Sequence, residues 1–393
     1  MKIKLPTIFL IICIILYPTS FGIGESAPFK PGAKRKLTVN LSLRYESEHT
    51  LQAAYAYLLA AQESNGSWNN DPAITSLVLY GLTLESPIRS GDKIDKAIEK
   101  GFAYVKKYVN PDGGIYAEKY KNYTTAVCLL AFSEAGKPEY KSIIDNAKEF
   151  LISFQLDEGE YITPKHPYYG GIGYGGDDRP DLSNTQLALE AIKSAEIYEA
   201  KDKSGPAKKA EKDKSEREEY WRKALVFLSR TQNLKSINDM PYATDDGGFI
   251  YETGHYNDER SHSYGSMTYA GMKSLLFAGV DPNDIRIQKA YAWICRNYTV
   301  EENPGFGTVS LYYYLMTATK CLAVMGEEVI TDSQGIRHFW REDFLKKIIS
   351  LQHEDGYWVN ANGRYWENIK DLATAYAMIG MKFALKDSKW SER

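Results

Sequence analysis

Cysteine and histidine are scarce in this chain, whose 393 residues include four cysteines and six histidines. Three cysteines lie beyond the N-terminal region, Cys128, Cys295 and Cys321, each within an apolar run with helical spacing. None has the sequence spacing of a metal site. An odd number of cysteines in such runs argues against a disulfide framework and predicts buried thiols.

Basic charge is not in excess, since the formal net charge is -3. Nucleic acid is therefore not an expected partner. No segment alternates apolar and polar residues for long enough to predict a sheet. There is no serine-centred GxSxG motif. The glycine run at residues 170–176 lacks the preceding strand and the lysine of a phosphate-binding loop.

Aromatic residues are abundant by contrast, with 30 tyrosines and seven tryptophans. Hydrophobic residues make up 44% of the chain and charged residues 25%, the balance of a globular protein. So many rings predict extensive aromatic packing or a cavity lined by aromatic side chains.

The N-terminus has the pattern of a signal peptide, which we assign to residues 1–26. Lys2 and Lys4 precede an apolar run over residues 8–17, and small and turn-forming residues follow. The run is short for a membrane span, although an uncleaved anchor remains the alternative. We therefore expect an exported protein, periplasmic or secreted, with no transmembrane domain in the mature chain. Residues 27–50 are interpreted as a leader.

Residues 51–385 repeat one unit six times: a helix, a turn with glycine and an aromatic residue, and a second helix. A unit of this size cannot bury its apolar face alone, so the six units must stack. A charged insertion at residues 199–219 interrupts the series without changing it, and residues 386–393 form a tail. The predicted helices span residues 51–62 and 72–84, 97–108 and 123–135, 144–154 and 182 onward, 221–231 and 266–278, 287–297 and 310–325, and 340–351 and 372–385.

The turns carry a recurring sequence in which an acidic or asparagine residue and a glycine are followed by an aromatic residue. The examples are NGSW after Gln62, PDGGIY after Asn110, DEGEY after Gln155, DDGGFIY before Glu252 and HEDGYW after Gln352. Six helix pairs joined by such turns resemble the squalene cyclase and protein prenyltransferase superfamily. The resemblance covers residues 51–385 and implies an all-α, α6/α6 toroid. Cyclases, transferases and binding proteins share that toroid, so activity does not follow from the fold.

The resemblance also implies where a site lies, because the second helix of each pair would be inside, with a cavity at the helix N-termini. Converging N-termini would favour an anionic ligand. The residues expected near this cavity include Asp71, Asn122, Asp181, Ser183, Asn184, His262, Tyr264, Tyr269, Tyr312 and Asp371. Trp366 is a further aromatic candidate, and Asp177 and Arg260 are candidates for binding a polar ligand head.

Asp177, Asp178 and Asp181 form a DDxxD sequence, which in other proteins holds magnesium. Pro180 places it in a loop rather than on a helix, so we expect no cofactor, with Mg²⁺ as the alternative. The DxDD acid of a class II cyclase is also incomplete, because Ser183 and Asn184 follow Asp181 where carboxylic acids are needed. Asp181, like Asp71 and Asp371, is predicted to be a helix N-cap.

The zinc ligands of protein prenyltransferases have no counterpart, although His262 matches a histidine that contacts diphosphate in that family. Our leading hypothesis is a protein that binds an apolar or isoprenoid-like molecule in its cavity, with catalysis open. The second is a divergent cyclase or transferase that uses Asp177, Asp178 and Asp181, with or without magnesium. The third is a secreted sugar-processing toroid in which Asp178 and Asp246 act as acid and base.

Overall fold

The computed structural model describes residues 39–86, 88, 91–175, 179–201, 207–255 and 261–386, and only the backbone of residues 207–214 and 216. The predicted signal peptide and residues 387–393 of the tail lie outside these ranges. The described residues form twelve α-helices. They are α1 (Leu41–Ala61), α2 (Pro72–Thr83), α3 (Asp92–Val105), α4 (Lys121–Ala135), α5 (Lys141–Ile152), α6 (Leu182–Lys201), α7 (Ala207–Thr231), α8 (Gly265–Phe277), α9 (Ile285–Arg296), α10 (Leu311–Met325), α11 (Trp340–Ser350) and α12 (Lys370–Leu385).

The even-numbered helices form a closed inner ring, in which each contacts the next and α12 contacts α2. The odd-numbered helices pack against its outside. This arrangement is the predicted all-α, α6/α6 toroid. The difference between the rings follows from the sequence: α2 is apolar on every side and is buried over almost its whole length, whereas α3 buries a single stripe that includes Ile94, Ala97 and Val105.

A glutamine at the end of four outer helices ties each turn to the next outer helix. The Gln62 side-chain amide donates to the carbonyls of Gly66 (2.9 Å) and of Ala97 in α3 (2.8 Å). The Gln352 amide donates in the same way to Gly356 (2.9 Å) and to Thr50 in α1 (2.9 Å), so this bond closes the ring. Gln155 and Gln232 make the equivalent contacts. The repeated glutamine is therefore structural.

A threonine in the first turn of five inner helices fixes the aromatic turn that precedes it. The Thr75 hydroxyl accepts from the backbone N–H of Trp68 (3.0 Å), and Thr374 does the same for Trp358 (3.1 Å). The equivalent residues are Thr125, Thr185 and Thr268. The sequence pattern did not predict this hydrogen bond, because the bond links residues on either side of a turn whose length varies.

The structure differs from the prediction at the start of the first helix and between α10 and α11. Helix α1 begins at Leu41, so residues 41–50, which we had assigned to the leader, belong to the first outer helix. The Asn40 side chain caps it by accepting from the Ser42 N–H (2.9 Å), and the inward face here includes Ser47, a polar residue that hides the apolar spacing. A two-residue ribbon, β1 (Ile330–Thr331) and β2 (Arg337–His338), also joins α10 to α11, where no strand was predicted.

Cys128, Cys295 and Cys321 are free and buried, as their apolar surroundings predicted. Residues 199–201 continue α6, and residues 207–219 form the start of α7, so the described parts of the charged insertion extend two helices of the toroid. None of the helices described is both long and apolar enough to cross a membrane.

Candidate functional site

A cavity of about 290 Å³ lies where the N-terminal ends of the six inner helices meet, the place that the toroid geometry predicted. Every inner helix, or the segment just before it, contributes to its wall. For example, Ile74 of α2 and its N-cap Asp71 line the cavity, as do Leu372 and Tyr376 of α12. The ring of helices thus holds one site in common, which no single repeat could form.

Aromatic side chains dominate the cavity wall. They comprise Tyr120, Tyr123, Tyr174, Tyr251, Tyr264, Phe306, Tyr313, Tyr365, Trp366 and Tyr376. No lysine, arginine or histidine belongs to the wall among the residues that the structure describes. Ring faces offer apolar contact area, and the tyrosine hydroxyls add a few hydrogen-bonding groups. Such a wall suits a largely apolar ligand or one with flat apolar faces.

The rim of the cavity holds a cluster of residues in the left-handed backbone region. Asn69, Tyr120, Ser310 and Trp366 have φ values between 54° and 61° and all line the cavity. Apart from glycine and asparagine, residues rarely adopt this conformation, which costs Tyr120, Ser310 and Trp366 about 1–3 kcal/mol each. Trp366 and Tyr120 are also exposed, and their rings contact each other edge to face at 5.8 Å. Strain concentrated at one rim supports a functional role for the cavity.

Two carboxylates line the cavity, and both are already engaged by backbone N–H groups. Asp71 caps α2 by accepting from Ala73 and Ile74 (both 2.8 Å). Glu367 comes from the segment before α12, but it accepts from the N–H of Tyr313 in the first turn of α10 (2.7 Å). Burial raises the pKa of Glu367, although hydrogen bonds from the Asn360 side chain and from backbone N–H groups of α10 oppose the shift. Glu367 was not a sequence candidate, because its partner lies on another repeat.

Asp181 caps α6, as predicted, and lies directly behind the cavity wall. One carboxylate oxygen accepts from the Ser183 hydroxyl (2.7 Å) and the Asn184 N–H (2.8 Å), and the other accepts from the Asn184 side-chain amide (2.7 Å). Asp181 is 3% exposed, and Ser183, not Asp181, belongs to the wall. Burial raises the pKa of Asp181 to about 6, although the donors from Ser183 and Asn184 oppose the shift.

Of the remaining candidates, Tyr264 and Trp366 belong to the cavity wall and Asn184 is buried beside Asp181. Tyr269 and Tyr312 are buried outside the wall. Tyr269 packs against Tyr314 (5.9 Å between ring centroids), and the Tyr312 hydroxyl donates to the Val359 carbonyl (3.3 Å). The neighbouring Tyr313 faces the cavity instead, because each step along a helix turns the side chain by about 100°.

Asp371 does not cap α12, contrary to our prediction, because that helix begins one residue earlier at Lys370. Its carboxylate accepts from the Tyr57 hydroxyl (2.8 Å), and burial raises its pKa. His262 is exposed and is not part of the wall. Asp246 is exposed and accepts from the Gly248 N–H and the Ser263 hydroxyl (both 2.8 Å), the contacts of a turn residue.

Asp177, Asp178 and Arg260 lie outside the described residues. Within the described ranges, no group of three or more His, Cys, Asp or Glu side chains is arranged to hold a metal ion. Because two aspartates of the DDxxD sequence lie outside those ranges, a magnesium site stays a prediction. The same holds for the proposed acid and base pair of Asp178 and Asp246.

Comparison with known proteins identifies the fold. No family model matches the chain, and no curated protein matches it in sequence. Among solved structures, a variant of the type II terpene cyclase MstE from Scytonema, in complex with its substrate geranylgeranyl dihydroxybenzoate, has a TM-score of 0.52 and 14% identity. The similarity covers 88% of this chain and 99% of that one. The similarity spans whole chains, so it concerns the complete toroid.

A second group of similar structures has a different activity. The GH76A α-1,6-mannanase from Salegentibacter sp. has a TM-score of 0.55 and 10% identity, with coverage of 87% and 99%. An inactive variant of it in complex with α-1,6-mannotriose has a TM-score of 0.53 and 10% identity, with the same coverage. These comparisons establish that the chain has the α/α-toroid fold found in terpene cyclases and mannanases. At such low identity they carry no conclusion about activity.

Proposed function

We propose that this toroid binds an apolar, isoprenoid-like molecule in its central cavity and that its N-terminal segment directs it to export. The observation that carries the proposal is the wall of ten aromatic rings without a cationic side chain among the described residues. Burial of isoprenoid carbon against these rings would supply the affinity, at about 25 cal/mol per Å² of apolar surface. The tyrosine hydroxyls would orient one polar end of the ligand.

The charge of the site argues for a neutral or cationic ligand rather than the anionic one that converging helix N-termini suggested. Asp71, Asp181 and Glu367 already accept hydrogen bonds from the N-termini of α2, α6 and α10. The partial positive charge of those three helices is thus offset by carboxylates of the protein itself. An added diphosphate would meet like charge, so the proposed ligand lacks one.

A sugar is the second candidate, because the same features suit it. Aromatic ring faces also stack on the apolar faces of pyranose rings, and hydroxyls and carboxylates bind sugar hydroxyls. The similarity to the mannanase supports this candidate as much as the similarity to the cyclase supports the first. A cyclase reaction is the third candidate, in which Asp181, with its raised pKa, would protonate the ligand from behind Ser183.

Calorimetric titration with geranylgeraniol and with α-1,6-mannotriose distinguishes the first two candidates. We expect saturable binding of geranylgeraniol alone, whereas binding of mannotriose alone would replace the proposal by the sugar candidate. The variant Phe306→Ala removes a ring that stacks on Tyr264 at 4.7 Å. It should weaken geranylgeraniol binding about tenfold, which corresponds to about 1.4 kcal/mol. Phe339→Ala is the matched control, because Phe339 is exposed and outside the wall.

Incubation with prenyl substrates, followed by mass spectrometry, tests the cyclase candidate. A product that appears with the wild type and is lost in Asp181→Asn, with no loss of thermal stability, would show that Asp181 is catalytic. We expect bound ligand to be recovered unchanged from both proteins.

A further inference from the structure

A second, smaller cavity of about 80 Å³ lies at the opposite end of the toroid, between the C-terminal halves of the inner helices. All six inner helices contribute to it, from Tyr80 in α2 to Phe383 in α12. Its polar side chains are chiefly lysines, glutamates and serines, in contrast to the tyrosines of the first cavity. The two cavities therefore differ in the chemistry that they offer.

A buried charge cluster that is out of balance borders the second cavity. The Glu190 carboxylate contacts the ammonium groups of Lys273, at 2.6 Å, and of Lys320. All three side chains are more than nine-tenths buried. Burial raises the pKa of Glu190, but the two ammonium groups outweigh this and lower it to about 2. Two cations thus share one carboxylate in a site from which water is largely excluded, and a charge left uncompensated there is costly.

Lys320 is the cation of this cluster that reaches the cavity. It belongs to the cavity wall, as does Glu190, whereas Lys273 lies behind them. Its ammonium group lies 4.9 Å from the centroid of the Tyr80 ring and 5.5 Å from that of Phe383. Burial lowers the pKa of Lys320 to about 8, and Glu190 opposes the shift. At neutral pH the ammonium form still predominates.

An unsatisfied hydroxyl lies on the same wall. Ser133 in α4 is 8% exposed and lines the cavity, and its hydroxyl has no hydrogen-bond partner among the described residues. A buried polar group without a partner is uncommon, and where one occurs beside a cavity it indicates a missing ligand or water. The wall therefore carries a cation and a serine whose enclosed hydroxyl has no partner among the described residues.

The other charged groups around this cavity do not remove the positive excess. Glu134 in α4 and Lys201 in α6 lie on the wall, and Lys193 is there as well but is paired with Glu196 (3.5 Å). Counting Lys273 and Glu196 behind the wall, four lysines face three carboxylates. Glu134, which follows Ser133 in α4, also acts on Lys320 and raises its pKa.

We propose that the second cavity binds a small oxyanion, a phosphate or a carboxylate, between the Lys320 ammonium group and the Ser133 hydroxyl. An oxyanion would balance the second lysine of the cluster and accept the hydrogen bond that Ser133 can donate. A water needs roughly 10–15 Å³ by the same kind of measure, so the cavity holds a group of a few heavy atoms and excludes an isoprenoid or an oligosaccharide. The site is separate from the aromatic cavity and does not depend on the function proposed for it.

Thermal unfolding in the presence of inorganic phosphate tests this site, with sodium acetate as the carboxylate arm and sodium chloride at equal ionic strength as reference. Because a ligand that binds the native state raises the melting temperature, we expect a saturable rise with phosphate or acetate beyond that with chloride. The arm that saturates at lower concentration identifies the anion. Equal effects of all three salts would mean an adventitious ion only and would overturn the proposal.

Variants then locate the bound anion. Lys320→Met should abolish the saturable rise, and Ser133→Ala should raise the half-saturating concentration about fivefold, consistent with loss of one hydrogen bond to a charged group. If Lys320→Met does not fold, Ser133→Ala decides, because it removes one unpaired hydroxyl. Ser153→Ala is the matched control, since that hydroxyl donates to the Phe150 carbonyl at the end of α5. An unchanged half-saturation in Ser133→Ala, measured by ³¹P NMR or calorimetry, would refute the assignment.

Discussion

At the scale of single residues, Asp181 combines a structural and a chemical property. Its carboxylate caps α6, and burial keeps that carboxylate protonated to an unusually high pH. Comparison of Asp181→Ala with Asp181→Asn isolates the cap, because neither variant ionises. Asn retains an acceptor, and the Asn184 side chain can turn its unpaired oxygen towards the new amide. We expect Asp181→Ala to be about 1 kcal/mol less stable than Asp181→Asn in urea unfolding. Equal stability would contradict a capping role.

The pH dependence of stability tests the raised pKa of Asp181. The folded-state pKa of about 6 exceeds the ordinary value of 3.8, so the native state binds more protons than the unfolded state between these pH values. The contribution of Asp181 to stability is therefore present at low pH and is lost as the pH rises towards 6. Relative to wild type, Asp181→Asn should gain up to about 3 kcal/mol between pH 4 and pH 7. A constant difference across this range would show that Asp181 titrates normally.

At the scale of elements, the turn glycines set how closely neighbouring repeats approach. Gly66 has a φ of 94°, and a Cβ atom there would lie 2.5 Å from the Lys100 carbonyl oxygen in α3. Gly113, Gly247 and Gly356 meet the next outer helix in the same way. The glycine of the repeated turn is thus required both by its backbone conformation and by the contact between repeats.

Alanine substitution separates these two requirements. Gly326, the C-cap of α10, also has a positive φ, of 76°, but no atom lies within 4 Å of its virtual Cβ. Gly326→Ala should therefore cost only the conformational penalty of about 1 kcal/mol. Gly66→Ala should cost more than 2 kcal/mol, because it adds a steric conflict with rigid backbone. If the two variants lose similar amounts of stability in thermal or denaturant unfolding, the turn can shift to accommodate the added methyl group, and the close contact between repeats is not required.

At the scale of the whole molecule, the toroid is held closed by contacts between its first and last repeats. Helix α1 packs against α11 and α12, and Gln352 donates to Thr50 across the junction. The equivalent Gln62 joins consecutive repeats, so no ring closure depends on it. Gln352 and Gln62 therefore make equivalent hydrogen bonds, but only those of Gln352 hold the first and last repeats together.

Gln352→Leu and Gln62→Leu should each lower stability by about 1–3 kcal/mol through loss of hydrogen bonds to buried carbonyls. Hydrogen exchange distinguishes them. Gln352→Leu should speed exchange in α1, because the Gln352 side chain ties this helix to the last repeat through the Thr50 carbonyl. Gln62→Leu should leave the junction between α1 and α11 protected. Uniform exchange in both variants would indicate that the ring opens only by global unfolding.

The sequence by itself determined the elements of this protein. Ten of the twelve helices begin within about five residues of their predicted starts, whereas α1 and α7 begin 10 and 14 residues earlier. The family resemblance that the repeated turns carry implied a closed toroid with a cavity at the inner N-termini. Helical period and turn chemistry act over a few residues, so a single repeat already contains them. The excess of tyrosine likewise indicated an aromatic site.

The tertiary structure alone decided which side chains meet in that site. Tyr313 rather than Tyr312 faces the cavity, and Glu367 caps a helix of another repeat, because the rotation of each inner helix is set by its neighbours in the ring. The left-handed conformations of Tyr120 and Trp366 similarly depend on the packing that holds them. The pairing of Glu190 with Lys273 and Lys320 joins three different repeats. Such contacts depend on the closure of the ring, which no local pattern encodes.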